Sequence, residues 1–182
     1  ANIGQRLMAV RRYLGNDEVF MANYADGLSD LNLAAYLDNF CGQDKVASFL
    51  CVQPSQSFHV VSLEPNGEVT GIKPVRDADL WINGGFFVFR QTIFDYMRAG
   101  EELVVEPFQR LIAANQLTAY RNPGFWACMD TLKEKQMFDD MVSRGVMPWA
   151  VWNNGEVVNR RPARAENERV LDFAGRGGLV RA

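Results

Sequence analysis

Two aspartates stand where apolar runs meet a turn or a helix, and carboxylates so placed can hold a hard cation. Asp26 follows the apolar stretch 18–24 and precedes Gly27; Asp130 follows Gly124-Phe125-Trp126-Ala127-Cys128-Met129 and precedes a helical pattern. A magnesium ion uses one or two carboxylates and leaves other positions to water and substrate phosphates. The same side chains could also serve as a turn residue and a helix cap. Asn83-Gly84-Gly85 interrupts an apolar strand. Glycine weakens a strand unless backbone must approach a ligand or another segment closely. Lys73, ahead of Pro74, is a cation that could meet a phosphate or simply a solvated loop residue. Trp81 and Trp126 could line a sugar, while Phe86, Phe87, Phe89 and Phe125 read as core. His59 reads as a hairpin side chain.

The elements that must position these residues alternate between helix and strand. Leu7, Val10 and Leu14 give residues 5–14 helical spacing, stopped by Gly15-Asn16. Residues 18–24 and 45–53 are apolar runs expected as strands buried on both faces. Between them, Leu33, Tyr36, Leu37 and Phe40 mark a helix over 31–41, with Asp30 as its expected N-cap. Asn66-Gly67 between alternating residues predicts a hairpin over 58–72. Residues 80–90 form a third apolar strand, broken at Asn83-Gly84-Gly85. Helices are expected over 91–97, over 106–115 with Pro107 in its first turn, and over 130–144 with Leu132, Gln136, Met137 and Met141 on one face. Residues 117–121 are a short strand. Residues 147–152 read as an extended segment that docks on the rest. From 153 the chain turns polar, with six Arg against four acids, and is expected as a poorly ordered tail or linker. The glycine-rich stretch 175–178 lacks the flanking strand and Lys-Ser/Thr of a phosphate loop. This order predicts an α/β fold with a mixed, mostly parallel sheet and a hairpin insertion. Ligands in such sheets sit at the carboxyl ends of strands, which selects Asp26, Asn83 to Gly85 and Asp130.

Composition narrows the function. Of 182 residues, 48% are hydrophobic and 23% charged, enough apolar material for a core. A net charge of −3 argues against a nucleic-acid polymer as partner, because counterion release needs a basic face. No apolar run approaches the roughly 20 residues that span a bilayer, so no membrane partner is expected. Cys41, Cys51 and Cys128 lack zinc-site spacing and read as buried free thiols of a cytoplasmic protein. No G-x-G-x-x-G follows a strand, against a nicotinamide oxidoreductase.

Four blocks in order carry a more specific signal: Tyr24-Ala25-Asp26-Gly27-Leu28-Ser29-Asp30, Trp81-Ile82-Asn83-Gly84-Gly85-Phe86-Phe87-Val88, Gly124-Phe125-Trp126-Ala127-Cys128-Met129-Asp130-Thr131-Leu132-Lys133, and Pro148-Trp149 with Val151-Trp152. Over roughly residues 3–152 the chain resembles the sugar-nucleotide pyrophosphorylases, a nucleotidyltransferase family, and most closely their cytidylyltransferase branch. The resemblance implies a Rossmann-like nucleotide-diphospho-sugar transferase sheet. It implies transfer of a cytidylyl group from CTP to glucose 1-phosphate, giving CDP-glucose and pyrophosphate, within sugar-nucleotide and polysaccharide biosynthesis. By match to the family motifs, Asp26 and Asp130 would hold Mg²⁺ and be catalytic with Lys73, and Asn83 and Gly84 would contact the sugar. A homo-oligomer is also implied.

Two departures qualify this. The family's G-G-x-G-T-R-L loop, which cradles the triphosphate at a helix N-terminus, is absent. The expected fold is therefore N-terminally truncated, with residues 1–152 as the sugar- and metal-binding portion, inactive alone, and 153–182 as the tail. The family's Glu-Lys-Pro after the hairpin reads Ile72-Lys73-Pro74 here. Both departures suit an alternative, a non-catalytic module that binds a sugar phosphate or a partner subunit.

Overall fold

The computed structural model describes residues 2–153, residue 56 apart. Its first helix, α1 (Ile3–Val10), starts in a capping box: Asn2 accepts the Gln5 N–H at 2.8 Å while the Gln5 side chain accepts the Asn2 N–H at 3.1 Å. A 3₁₀ turn at Arg11–Tyr13 ends the pattern expected to run on to residue 14. The strands are β1 (Val19–Ala22), β2 (Gly27–Ser29), β3 (Ala47–Val52), β4 (His59–Leu63), β5 (Val69–Pro74), β6 (Ile82–Asn83), β7 (Phe87–Arg90), β8 (Leu117–Asn122) and β9 (Trp126–Cys128). The further helices are α2 (Leu33–Cys41), α3 (Glu106–Ala113) and α4 (Leu132–Ser143).

A five-stranded sheet runs β1-β7-β3-β6, with β8 on the other side of β3. The β3–β8 pair is parallel, whereas β1–β7, β3–β7 and β3–β6 are antiparallel. The expected mostly parallel sheet is thus corrected to a mixed one in which antiparallel pairs prevail. The cause is that residues 80–90 return against both 18–24 and 45–53, a long-range pairing that hydrophobic runs do not encode. Both faces of the central strands are covered. Ala47, Phe87 and Phe89 join Leu7, Phe94, Phe108 and Leu111 on one face; Leu50, Val52 and Val88 meet Tyr36 and Phe40 of α2 on the other. This alternation explains why β3 and β7 lack the polar–apolar pattern of a half-exposed strand. By contrast β1 has Phe20 buried but Met21 40% exposed, so it is not buried on both faces.

The strand expected over 80–90 is one strand with a bulge. Ala47 and Ser48 face Phe89 and Val88, and Cys51 and Val52 face Asn83 and Ile82. Phe49 and Leu50 therefore oppose the four residues Gly84 to Phe87, two more than a regular ladder allows. The hairpin β4–β5 forms a separate two-stranded sheet around the Asn66-Gly67 turn, with Gly67 at φ +87°.

Several local expectations change. Asn32, and not Asp30, caps α2, its side chain accepting the Ala35 N–H at 3.0 Å. Residues 91–96 are a 3₁₀ helix. In α4 the buried residue is Phe138, while Leu132 is 71% and Met137 39% exposed, so the expected stripe is not the packed face. Residues 147–152 do dock, through Trp149 on Phe125 and Phe138 at ring separations of 5.6 and 5.3 Å, but by a turn and a 3₁₀ helix at Val151–Asn153. The three cysteines are free; Cys41 is exposed and the other two half-buried. The expected tail and its glycine-rich stretch lie outside the described residues. Among the described residues no helix is long and apolar enough to cross a membrane.

Candidate functional site

The short antiparallel ribbon β2–β9 brings the two aspartates together. Gly27 faces Cys128 and Ser29 faces Trp126. Just beyond, the Met129 N–H donates to the Asp26 carbonyl at 2.9 Å. Asp26 and Asp130 therefore leave the same end of the ribbon, although 104 positions separate them in the sequence. The ribbon's other end is pinned by polar contacts. Ser29 Oγ donates to the Phe125 carbonyl at 2.8 Å, and Asn122 Nδ2 donates to Ser29 Oγ and Asp30 Oδ1, both at 3.1 Å. A Cβ on Gly124 would lie 2.4 Å from the Asp30 carboxylate, so any side chain there would have to displace that carboxylate.

Asp130 is free of the capping role that its position suggested. Thr131 caps α4, and the Glu134 carboxylate accepts the N–H groups of Asp130 and Thr131 at 2.9 Å each. The Asp130 carboxylate instead accepts the Cys128 thiol at 3.3 Å. Burial first, then that hydrogen bond and the charges of Asp130, Glu134 and Asp26, push the thiol up to about 11. At neutral pH the sulfur is a protonated donor. Sγ of Cys128 and carboxylate oxygens of Asp130 and Glu134 lie within 4.8 Å of one another.

The bulge meets this ribbon. Trp126 Nε1 donates to the Gly84 carbonyl at 2.8 Å, and Gly27 lies under both Trp126 and Phe86. Within the bulge, Asn83 Oδ1 accepts the Gly85 N–H at 2.9 Å and Asn23 Oδ1 accepts the Phe86 N–H at 2.8 Å. Gly85 has φ +76° and Phe86 φ +47°. The latter is a left-handed conformation that costs a bulky residue about 1–2 kcal/mol. Asn83 Nδ2 reaches the Tyr24 hydroxyl at 3.5 Å. Burial raises the Tyr24 phenol; the Asn83 contact opposes this, and the charges of Glu102 and Asp26 add to it. A cleft of about 420 Å³ opens on the α1 side of Asp26, walled by Leu7, Tyr24, Phe87 and Leu103.

The structure thus gathers Asp26, Asp130, Asn83, Gly84 and Trp126. The glycines serve close packing within the chain, and the Trp126 N–H is committed to Gly84. Trp81 lies at the foot of β6, its Nε1 donating to Asp79 Oδ1 at 3.1 Å. Lys73 is exposed on the hairpin opposite Val60, and no hydrogen bond or ion pair among the described residues ties it to Asp26, Asp130 or Asn83. Sequence reasoning missed Asn23, which fixes Phe86, and the capping Glu134. The Thr131-x-x-Glu134 spacing was a readable signal for the second. Nothing local marked the first.

Chemically, the side chains that could together hold a metal ion among the described residues are Cys128, Asp130 and Glu134, while Asp26 shares the ribbon end without joining that cluster. With its thiol protonated, Cys128 is a hydrogen-bond donor to Asp130 and not a thiolate ligand.

No protein-family model matches the chain. A glucose-1-phosphate cytidylyltransferase of Salmonella typhi is 33% identical over 152 residues, which are 82% of this chain and 58% of that protein. The glucose-1-phosphate cytidylyltransferase of Salmonella typhimurium strain LT2 matches with the same identity and coverage. The chain thus spans 58% of the length of these curated relatives. A Bacillus anthracis structure described as a glucose-1-phosphate thymidylyltransferase in complex with a sucrose superposes with a TM-score of 0.57 at 16% identity, over 78% of this chain and 61% of that one. That likeness carries the fold: an α/β sheet of the Rossmann-like nucleotidyltransferase kind. Over 82% of its length the chain is thus similar in sequence to glucose-1-phosphate cytidylyltransferases, and it shares the fold of a solved nucleotidyltransferase.

Proposed function

We propose that this chain is the sugar- and metal-binding part of an enzyme that makes CDP-glucose and pyrophosphate from CTP and glucose 1-phosphate. The observation that carries the reading is the β2–β9 pairing, which sets Asp26 and Asp130 at one ribbon end beside the Asn83-Gly84 bulge. Asp26 and Asp130 would hold Mg²⁺, which when bound neutralises charge on phosphate oxygens. In the reaction a phosphate oxygen of the sugar phosphate attacks the α-phosphorus of CTP, and pyrophosphate leaves as the new P–O bond forms. The chain's own task is positioning and charge stabilisation. Asn83, its Oδ1 engaged by the Gly85 N–H, would face a sugar hydroxyl, with Gly84 letting backbone come close. Trp126 would wall the sugar while holding the bulge. A homo-oligomer is part of the proposal. The hairpin supports it, since Val61, Leu63, Val69 and Ile72 are all exposed.

A second reading, a non-catalytic sugar-phosphate-binding module, draws on the hairpin, where Ile72 cannot accept a hydrogen bond and Lys73 stands apart from the aspartates. Titration with Mn²⁺ tests the metal assignment. Asp26→Asn and Asp130→Asn should each weaken binding at least about tenfold, roughly the worth of one charged ligand. Unchanged affinity in both variants would sink it. The 182-residue chain alone should give no CDP-glucose from CTP and glucose 1-phosphate; product formation would contradict the partial role.

A further inference from the structure

Three strands place one cation in line with Asn83. The parallel register sets Arg121 of β8 opposite Cys51 of β3, and the antiparallel register sets Cys51 opposite Asn83 of β6. Directly opposed residues share a face of the sheet. With strands about 4.8 Å apart, the Arg121 and Asn83 backbones are about 10 Å apart across that face. Trp81, two residues before Asn83, falls on the same face.

Arg121 is exposed, and it makes no salt bridge among the described residues. Its guanidinium carbon lies over the Trp81 ring, 5.0 Å from the centroid. The ring is itself held by its bond to Asp79. Stacking uses the face of a guanidinium and leaves its N–H edge to a ligand. The positive charge reaches the row: burial raises the Cys51 thiol, and Arg121 acts in the opposite sense. Lys73 has no such tie to the row.

We infer that Arg121, seated on Trp81, is the residue that binds the phosphate monoester of the sugar phosphate, in the role expected of Lys73. The inference rests on the sugar-phosphate reading above. An arginine edge matches two phosphate oxygens at once, which lysine's point charge does not.

Calorimetric titration of the full chain with glucose 1-phosphate, inorganic phosphate and glucose tests this. Glucose 1-phosphate should bind the wild type, and Arg121→Gln should weaken it about 10- to 100-fold, the span for losing charge-assisted hydrogen bonds. Arg121→Lys should lose less. A parallel loss with inorganic phosphate would assign the contact to the phosphate group, and glucose binding should not change. Equal affinity of wild type and Arg121→Gln, a larger loss from Lys73→Gln, or no phosphate binding by the wild type would each overturn the proposal. Mn²⁺ affinity should be the same in Arg121→Gln as in wild type. If instead the Asp26 and Asp130 variants retain Mn²⁺ affinity, the metal reading falls while the phosphate titration still decides Arg121.

Discussion

The Trp126 indole N–H donates to the Gly84 carbonyl at 2.8 Å, so the ribbon that carries the aspartates is tied directly to the bulge in the main sheet. Trp126→Phe keeps an aromatic ring but leaves that carbonyl without its partner. The expected cost is about 1–3 kcal/mol, read as a shift in urea midpoint with an unchanged slope.

Glycine substitutions should rank by geometry. A Cβ on Gly84 would sit 3.1 Å from Trp126 Nε1 and Val52, within reach of small adjustments, and should cost about 1–2 kcal/mol. On Gly85 it would sit 2.7 Å from Asn23 Oδ1 and 2.9 Å from Tyr24, at φ +76°. Gly85→Ala should therefore be the more damaging variant by denaturant unfolding. Equal effects would mean that the bulge repacks freely.

Cys128 reports on Asp130. With its thiol near pH 11, only about one molecule in a thousand is thiolate at pH 8, so alkylation should be slow. Asp130→Asn removes a negative charge, lowers the thiol's titration point and speeds alkylation. The rate-against-pH curve should move to lower pH; a curve that stays in place would show that burial alone sets it.

Acid stability should depend on Glu101 and Arg110, which form a two-pronged ion pair with side chains 16% and 29% exposed. The hydrogen bond from Arg110 is the largest cause holding the Glu101 carboxyl below its ordinary range. Its contribution is therefore complete above the unfolded value of about 4.3 and is lost as pH falls through the folded value. Melting temperature should fall between about pH 5 and pH 3 in the wild type, and less steeply in Glu101→Gln.

Inside the core, Tyr36 is fully buried and its hydroxyl donates to Ser48 Oγ at 3.1 Å. Tyr36→Phe should cost about 1 kcal/mol by denaturant unfolding, the usual worth of one such bond.

Much of this architecture was legible in the chain because local chemistry specifies it. Asn66-Gly67 announced a turn whose Gly67 needs positive φ, and Asn66 duly accepts the Glu68 N–H. The Asn83-Gly84-Gly85 interruption marked a real break in a buried strand, and the aspartate blocks marked two segments that pair as β2 and β9. What escaped depends on contacts distant in sequence. β2 and β9 are three residues each, and each is a strand only because the other exists. Asn32 is the cap because α2 begins at Leu33, and Asp30, two residues before that cap, is engaged instead by Asn122, 92 residues away. Phe138 is the packed residue of α4, and its partner Trp149 lies beyond the helix, where the helical spacing carries no sign of it.

The bulge inserts two residues, and two is an even number. Removing Gly84 and Gly85 together would merge the β3 ladders into one register and leave every flanking side chain on its present face. Phe86 would then oppose Leu50, and Phe87 would oppose Phe49, partners that already share their sides of the sheet. The even insertion therefore lets the bulge be added to or taken from the sheet without reversing the face of any flanking residue.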